Sequence, residues 1–273
     1  MTWIRRHQLL SYFVFAYVIT WAIWSPLVIS AQGLANIQMP AWWHFFGAFG
    51  PLLSAFIVTG IVGGGTGIKE LVDRILRWRI GFKWILVAFS PGFVFLISVV
   101  TLRLIEGVWL NIGQFGYVDE LPQLTGLAGW VIWIVTFGLG EETGWRGFAL
   151  PRLQKRYSAL VATLILSVLW IIWHWPLFFY KEFYMTMNTV TTLIWLFGLV
   201  PLSIVFTWLY NSTRGSILMV ILLHGTMCAA TAAGIDPNII MIVCVVGVVV
   251  SVLVVIFARP VNLSRVGKHT IDV

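Results

Sequence analysis

The chain has 273 residues, 60% of them hydrophobic and 10% charged, with a mean hydropathy of +0.94. A soluble domain carries about 25% charged residues, so this composition describes an all-α, polytopic membrane protein whose first partner is lipid. The formal charge of +7 is spread over separate short loops and forms no single recognition element, which points to membrane topology and against a nucleic-acid partner.

Arg5-Arg6-His7 precedes an apolar stretch from Leu9 to Ile29. That stretch is longer than the apolar region of a signal peptide, about 7 to 15 residues, so it reads as a retained first span. A bilayer crossing takes about 20 apolar residues. The pattern predicts eight, over 9–29, 43–63, 83–105, 124–146, 160–180, 190–210, 215–233 and 237–258. With the N-terminus inside, fifteen of the 17 Lys and Arg fall in inside segments, leaving Arg103 and Lys181 outside. Adding or dropping one span would invert every later loop, so this asymmetry supports the count and places both termini in the cytoplasm. The chain reads as one transmembrane domain, 1–273, with no internal repeat.

After a turn predicted at Gly63-Gly64-Gly65, Ile68, Leu71, Val72, Ile75, Leu76 and Ile80 recur at helical spacing. Lys69, Glu70, Asp73, Arg74 and Arg77 fall on the other side, the signature of an amphipathic helix lying in the interface. Cys228 and Cys244 both lie in apolar runs and suggest no disulfide.

The charged pair Glu141-Glu142 ends an apolar run and is followed by Thr143-Gly144-Trp145-Arg146. Carboxylates beside hydrocarbon cost several kcal/mol unless paired or hydrated, so they mark a site. If the fourth helix continues to about Leu150, Glu141 shares a depth with His174 on the fifth span and His224 on the seventh. Two chemistries suit such a layer. A desolvated carboxylate can take a proton from water near neutral pH, which makes Glu141 a candidate base for hydrolysis. Alternatively Glu141, His174 and His224 form a two-imidazole, one-carboxylate set for a divalent metal, zinc above all. Glu142 and Arg146 are spaced to pair on one helix face. Trp170, four residues before His174, can wall its ring, and Pro176 is placed to kink the helix just beyond. Cys228 lies one turn after His224. His7, His44 and His269 are assigned to interfaces and a polar tail, without chemistry.

The stretch E-E-T-G-W-R-G-F-A-L-P-R-L from Glu141 resembles the first motif of the CAAX prenyl protease type II and bacteriocin-processing (CPBP) family of intramembrane proteases. Trp170-x-x-x-His174 is similar to that family's F-x-x-x-H motif, and His224-x-x-x-Cys228 to its H-x-x-x-N motif. The resemblance spans roughly residues 45–235. It implies an eight-helix bundle with a polar cavity open to the cytoplasm and an endopeptidase acting near a protein C-terminus (CAAX-like) or on small peptides. On the matched positions, Glu141 and His174 would activate water, while His224 and the position of Cys228 would stabilise the oxyanion. Cys228 departs from the family's Asn, and a thiol is a poor donor. A slow enzyme or a catalytically silent immunity or scaffold protein is therefore the alternative. A proton-coupled transporter would also use buried Glu and His, but it predicts repeat symmetry that the chain lacks. Nothing in the sequence fixes the oligomeric state.

Overall fold

The computed structural model describes residues 2–107, 112–232 and 237–271, and these are helical with no strand among them. The principal helices are α1 (Gln8–Ala31), α2 (Gly50–Ile75), α3 (Phe82–Ala88), α4 (Ser90–Glu106), α5 (126–154), α6 (Ala159–Trp173), α7 (Thr189–Ser212), α8 (Ile217–Ala230) and α9 (Pro237–Ala258). Side-chain caps fix three starts: Ser158, Asn188 and Ser216 accept from the backbone N–H groups of Val161, Thr191 and Met219. Each cap satisfies one of the orphan donors of a first turn. Pro51 and Pro91 sit in first turns, where a missing N–H costs nothing.

Among the described residues five helices are long and apolar enough to cross a bilayer: Gln8–Ala31, Ala41–Ile75, Ala159–Phe179, Thr189–Ser212 and Asn238–Ala258. The pair α3 and α4, bent by 58°, makes a sixth if it counts as one span. The expected total of eight is not reached on these grounds. The fourth predicted span exists as α5, one helical run widened into π turns at Ile134–Leu139 and Trp145–Ala149. The seventh is α8, whose 14 residues extend only about 21 Å, short of a hydrocarbon layer of about 30 Å. Its predicted end at 233 lies outside the described residues. The molecule is an integral, multi-pass α-helical membrane protein.

One expectation is met and another corrected. The turn expected at Gly63-Gly64-Gly65 is present: Gly64, at φ 57° and ψ −149°, leaves helical geometry, as glycine can, and separates the spanning part of α2 from its amphipathic part. The amphipathic part then ends at Ile75, and Arg74, assigned to its polar side, is buried. Its guanidinium donates to Gly147 O at 2.8 Å and to Tyr210 Oη at 3.0 Å, and it pairs with Glu70 at 3.1 Å. The arginine therefore ties α2 to α5 and α7. The C-terminal tail also docks: His269 donates its backbone N–H to Asn211 Oδ1, and Gln154 Nε2 donates to His269 O.

These contacts gather the basic helix ends on one face. Arg77 bonds to Arg214 O, Arg152 to Gln8 Oε1, and Lys268 to Tyr157 O. The opposite face collects the end of α4, the 112–125 segment, and residues 174–188 after α6, with Glu106, Asp119, Glu120 and Glu182 against Arg103 and Lys181. Helix α5 runs between the two faces, packed by α2, α6 and α8.

Candidate active site

Glu141 and Glu142 lie midway along α5, where the helix packs closely on its neighbours. Gly140 and Gly144 make this possible: a Cβ at Gly140 would collide with Ala48 O, and one at Gly144 with Tyr12 Oη and Pro51. This small-residue contact, four residues apart, brings the backbones together and leaves the glutamates pointing into the bundle. Both carboxylates are buried, Glu141 at 1% exposure and Glu142 at 0%.

Their surroundings differ. Glu142 Oε1 accepts from Arg146 Nη1 at 3.0 Å and lies 2.9 Å from His224 Nδ1. Arg146 reaches on to Ser203 Oγ at 2.7 Å, its guanidinium lying 5.0 Å from the Trp170 ring centroid and 4.9 Å from that of Phe206. Among the described residues Glu141 meets no cation at hydrogen-bonding distance. Its Oε2 accepts the indole N–H of Trp170 at 2.6 Å and of Trp145 at 3.3 Å. Its Oε1 makes no protein hydrogen bond among the described residues.

Trp170 joins the parts. Its indole holds Glu141, its carbonyl lies 2.7 Å from His174 Nδ1, and its ring stands edge-on to the His224 ring at 5.7 Å. A carbonyl only accepts, so His174 carries its proton on Nδ1 and turns Nε2, with its lone pair, away from α6. His174 itself is the C-cap of α6, which ends at Trp173; Pro176 follows in a 3₁₀ turn, Trp175–Phe179. The span predicted over 160–180 is present as Ala159–Phe179, its α-helical part ending at Trp173 and its last turn, around Pro176, tightening to 3₁₀. Cys228, half-buried, lies four residues and so about one turn beyond His224 on α8.

The structure therefore brings together Glu141, His174 and His224 around Trp170, with Glu142 joining Arg146 to His224 and Cys228 one turn beyond His224. One pairing was not foreseen: Glu142, assigned to Arg146 alone, is also the carboxylate on His224. Tyr12, Ser203 and Phe206 complete the walls from α1 and α7. Their positions carry no signal in the sequence, since each lies in an unremarkable apolar run. Trp145, four residues from Glu141, was within reach of a spacing argument.

The metal alternative fits these residues poorly. Among the described residues no three His, Cys, Asp or Glu side chains are placed to hold an ion. Glu141 Oε2 is already engaged by two indole N–H donors, and His174 Nδ1 by the Trp170 carbonyl.

Toward the basic face Trp145, Phe148, Leu150, Phe206, Tyr210 and Ile217 are all at 0% exposure. On the other side His174 reaches 8%, and Phe178, Tyr184, Trp195 and Cys228 are half-buried.

Residues 123–230 match the family model described as type II CAAX prenyl endopeptidase Rce1-like. The segment contains all three motifs. The chain is also 24% identical, over 227 residues, to CAAX prenyl protease 2 of Methanococcus maripaludis, the alignment covering 78% of this chain and 80% of that one. Both are likenesses to CAAX prenyl endopeptidases, in line with the CPBP resemblance of the motifs.

Proposed function

We propose, from the premise of an Rce1-like core, that this protein hydrolyses a peptide bond in a membrane-proximal segment or small peptide, using water activated by Glu141 and His174. The relative's name specifies a CAAX substrate; for this chain the reading is the wider one, CAAX-like C-termini being one case. The observation that carries it is the contrast at the glutamate pair: Glu142 is neutralised by Arg146, while Glu141 is oriented by two indoles and keeps one oxygen unengaged.

Water held between Glu141 Oε1 and His174 Nε2 would lose its proton to the carboxylate as it attacks the scissile carbonyl. Two hydrogen-bonded indoles fix Oε2, so little reorganisation accompanies the step. The carboxylate of Glu142 on His224 Nδ1 lets that ring carry a proton on Nε2 and donate it toward the developing oxyanion. Arg146 positions Glu142 and balances its charge. Proton return from Glu141 to the leaving amine completes the cycle without a metal ion. Both chain termini are assigned to the cytoplasm by the excess of basic residues on their side.

The test is cleavage of quenched peptide substrates by purified protein carrying Glu141→Ala or His174→Ala. Each is expected to abolish cleavage while retaining a monodisperse, helical protein. Unchanged cleavage by either folded variant would refute the assignment.

A further inference from the structure

On the flank of α7 turned away from the glutamates lies a groove that peptide hydrolysis does not use. Phe206 and Tyr210 are buried in the bundle, whereas Trp208 between them faces outward and meets Trp84 of α3 edge-on at 5.5 Å. Those two indoles wall a cavity of about 420 Å³ whose floor is α9.

The two ends of the groove differ in chemistry. Along α9 it is lined by Val250, Leu253, Val254 and Phe257, and Leu253 and Phe257 keep 45% and 65% of their surface exposed. Such a surface is at home against acyl chains, which are as apolar as Leu. From Ala258 back to Val250 this floor extends about 12 Å into the membrane. At the other end, on the basic face, the lining changes to Ser212, Ser264, Lys83 and Arg265.

Both cations are placed rather than loose. The turn after α9 is pinned by Ala159 and Leu160, whose backbone N–H groups donate to Val261 O at 2.8 Å and Pro260 O at 3.0 Å. Asn211 Nδ2 donates to Asn262 O at 2.8 Å, and Ser212 Oγ to Ser264 Oγ at 3.4 Å, which sets Arg265 at the mouth. Lys83 Nζ stands 4.9 Å from the Trp84 ring centroid. Both residues are exposed, and among the described residues neither forms an ion pair with a carboxylate. Two unneutralised cations over an apolar trough, with indoles at the level between, complement an anionic headgroup that carries its own hydrocarbon.

We propose that this groove binds one anionic phospholipid from the leaflet on the basic side, its phosphate between Lys83 and Arg265 and an acyl chain along Val250, Leu253 and Phe257. A zwitterionic lipid brings an ammonium group to the same two cations and is the poorer ligand. Because Lys83 belongs to α3 and Arg265 to the docked tail, the lipid ties these two segments together. The site is separate from Glu141, and its occupancy does not depend on how that centre reacts.

Native mass spectrometry of the full-length protein, titrated in detergent with dioleoylphosphatidylglycerol or dioleoylphosphatidylcholine, tests this. The parent is expected to retain one phosphatidylglycerol more tightly than phosphatidylcholine. Lys83→Gln combined with Arg265→Gln should weaken that retention by roughly tenfold or more, the scale expected for removing two cations from an anionic headgroup. Arg5→Gln combined with Arg6→Gln removes the same charge from exposed positions at the start of the chain and should leave retention nearly unchanged. Leu253→Trp fills the trough without altering charge and should also weaken retention. Equal losses in the two double variants would reduce the effect to general attraction by a basic surface and overturn the proposal. So would equal retention of the two lipids. Displacement of the lipid by inorganic phosphate, with Leu253→Trp indistinguishable from the parent, would show an anion site without a chain groove and would equally overturn it.

Discussion

Toward the basic face, buried charge is matched at close range. Arg74 has Glu70, a carbonyl and a phenol; Arg146 has Glu142 and Ser203; Arg152 has Gln8 and Phe148 O. Around Trp170, at the same depth and only a turn of helix away, Glu141 and His174 have aromatic rings, indole N–H groups and one carbonyl. The first arrangement locks helices together. The second leaves a carboxylate oxygen and an imidazole nitrogen free to act, and Glu142 is where the two meet. The same polar chemistry thus serves as scaffold below the glutamate pair and as reaction centre above it, and substitutions should separate the roles.

The largest effect expected is on the scaffold side. Arg146→Met leaves Glu142 buried beside His224 without its cation, which should cost about 3–5 kcal/mol of stability. Unfolding in detergent, followed by circular dichroism, checks this; a loss below about 1 kcal/mol would place the pair among weak surface-like bridges. On the other side, Trp170→Phe keeps the ring and deletes the N–H that holds Glu141. A hydrogen bond to a charged group is worth about 1.5–3 kcal/mol, so turnover should fall roughly tenfold to a hundredfold with little change in stability. Equal losses in both would mean that Trp170 merely packs.

Cys228→Asn comes next. It restores the amide of the motif that the chain resembles, beside a histidine already held by Glu142. A well-placed oxyanion donor is worth about 100 to 1000-fold, and replacing a weak thiol donor should raise kcat by about tenfold. An unchanged kcat would remove Cys228 from the oxyanion and favour its role as a packing residue.

The smallest effect belongs to the tail. Burial, with Arg74 and Arg77 nearby, holds the His269 imidazole down to about 4, against an unfolded value of about 6.5. As pH falls the released tail takes up its proton first, so docking is fully stable above about pH 6.5 and weakens toward about pH 4. Proteolysis of the C-terminus should accelerate over that window and become pH-independent in His269→Gln.

How much of this was legible follows the range of each signal. The apolar runs, the charge asymmetry and the i, i+4 pair Glu142–Arg146 are local, and the structure contains them. The convergence of Glu141, His174 and His224 was anticipated because depth can be counted along helices. Orientation about the helix axis cannot be counted so easily once π turns intervene, as they do on both sides of Glu141. That is why Glu142 was not matched to His224. Arg74 was misplaced for another reason: helical periodicity assigns a face but does not say what covers it, and here the covering partners come from α5 and α7. His269 was assigned to a free tail because a chain end carries no periodicity at all.

The account depends most on Glu141 being the group that takes the proton from water. The decisive measurement is peptide hydrolysis by purified Glu141→Gln protein whose helicity and unfolding temperature match the parent. An amide keeps the size and accepts the same indole bonds but cannot serve as the base, so turnover should drop at least about a thousandfold, near the upper end of what positioned proton transfer contributes. Full turnover in that folded variant would contradict the account.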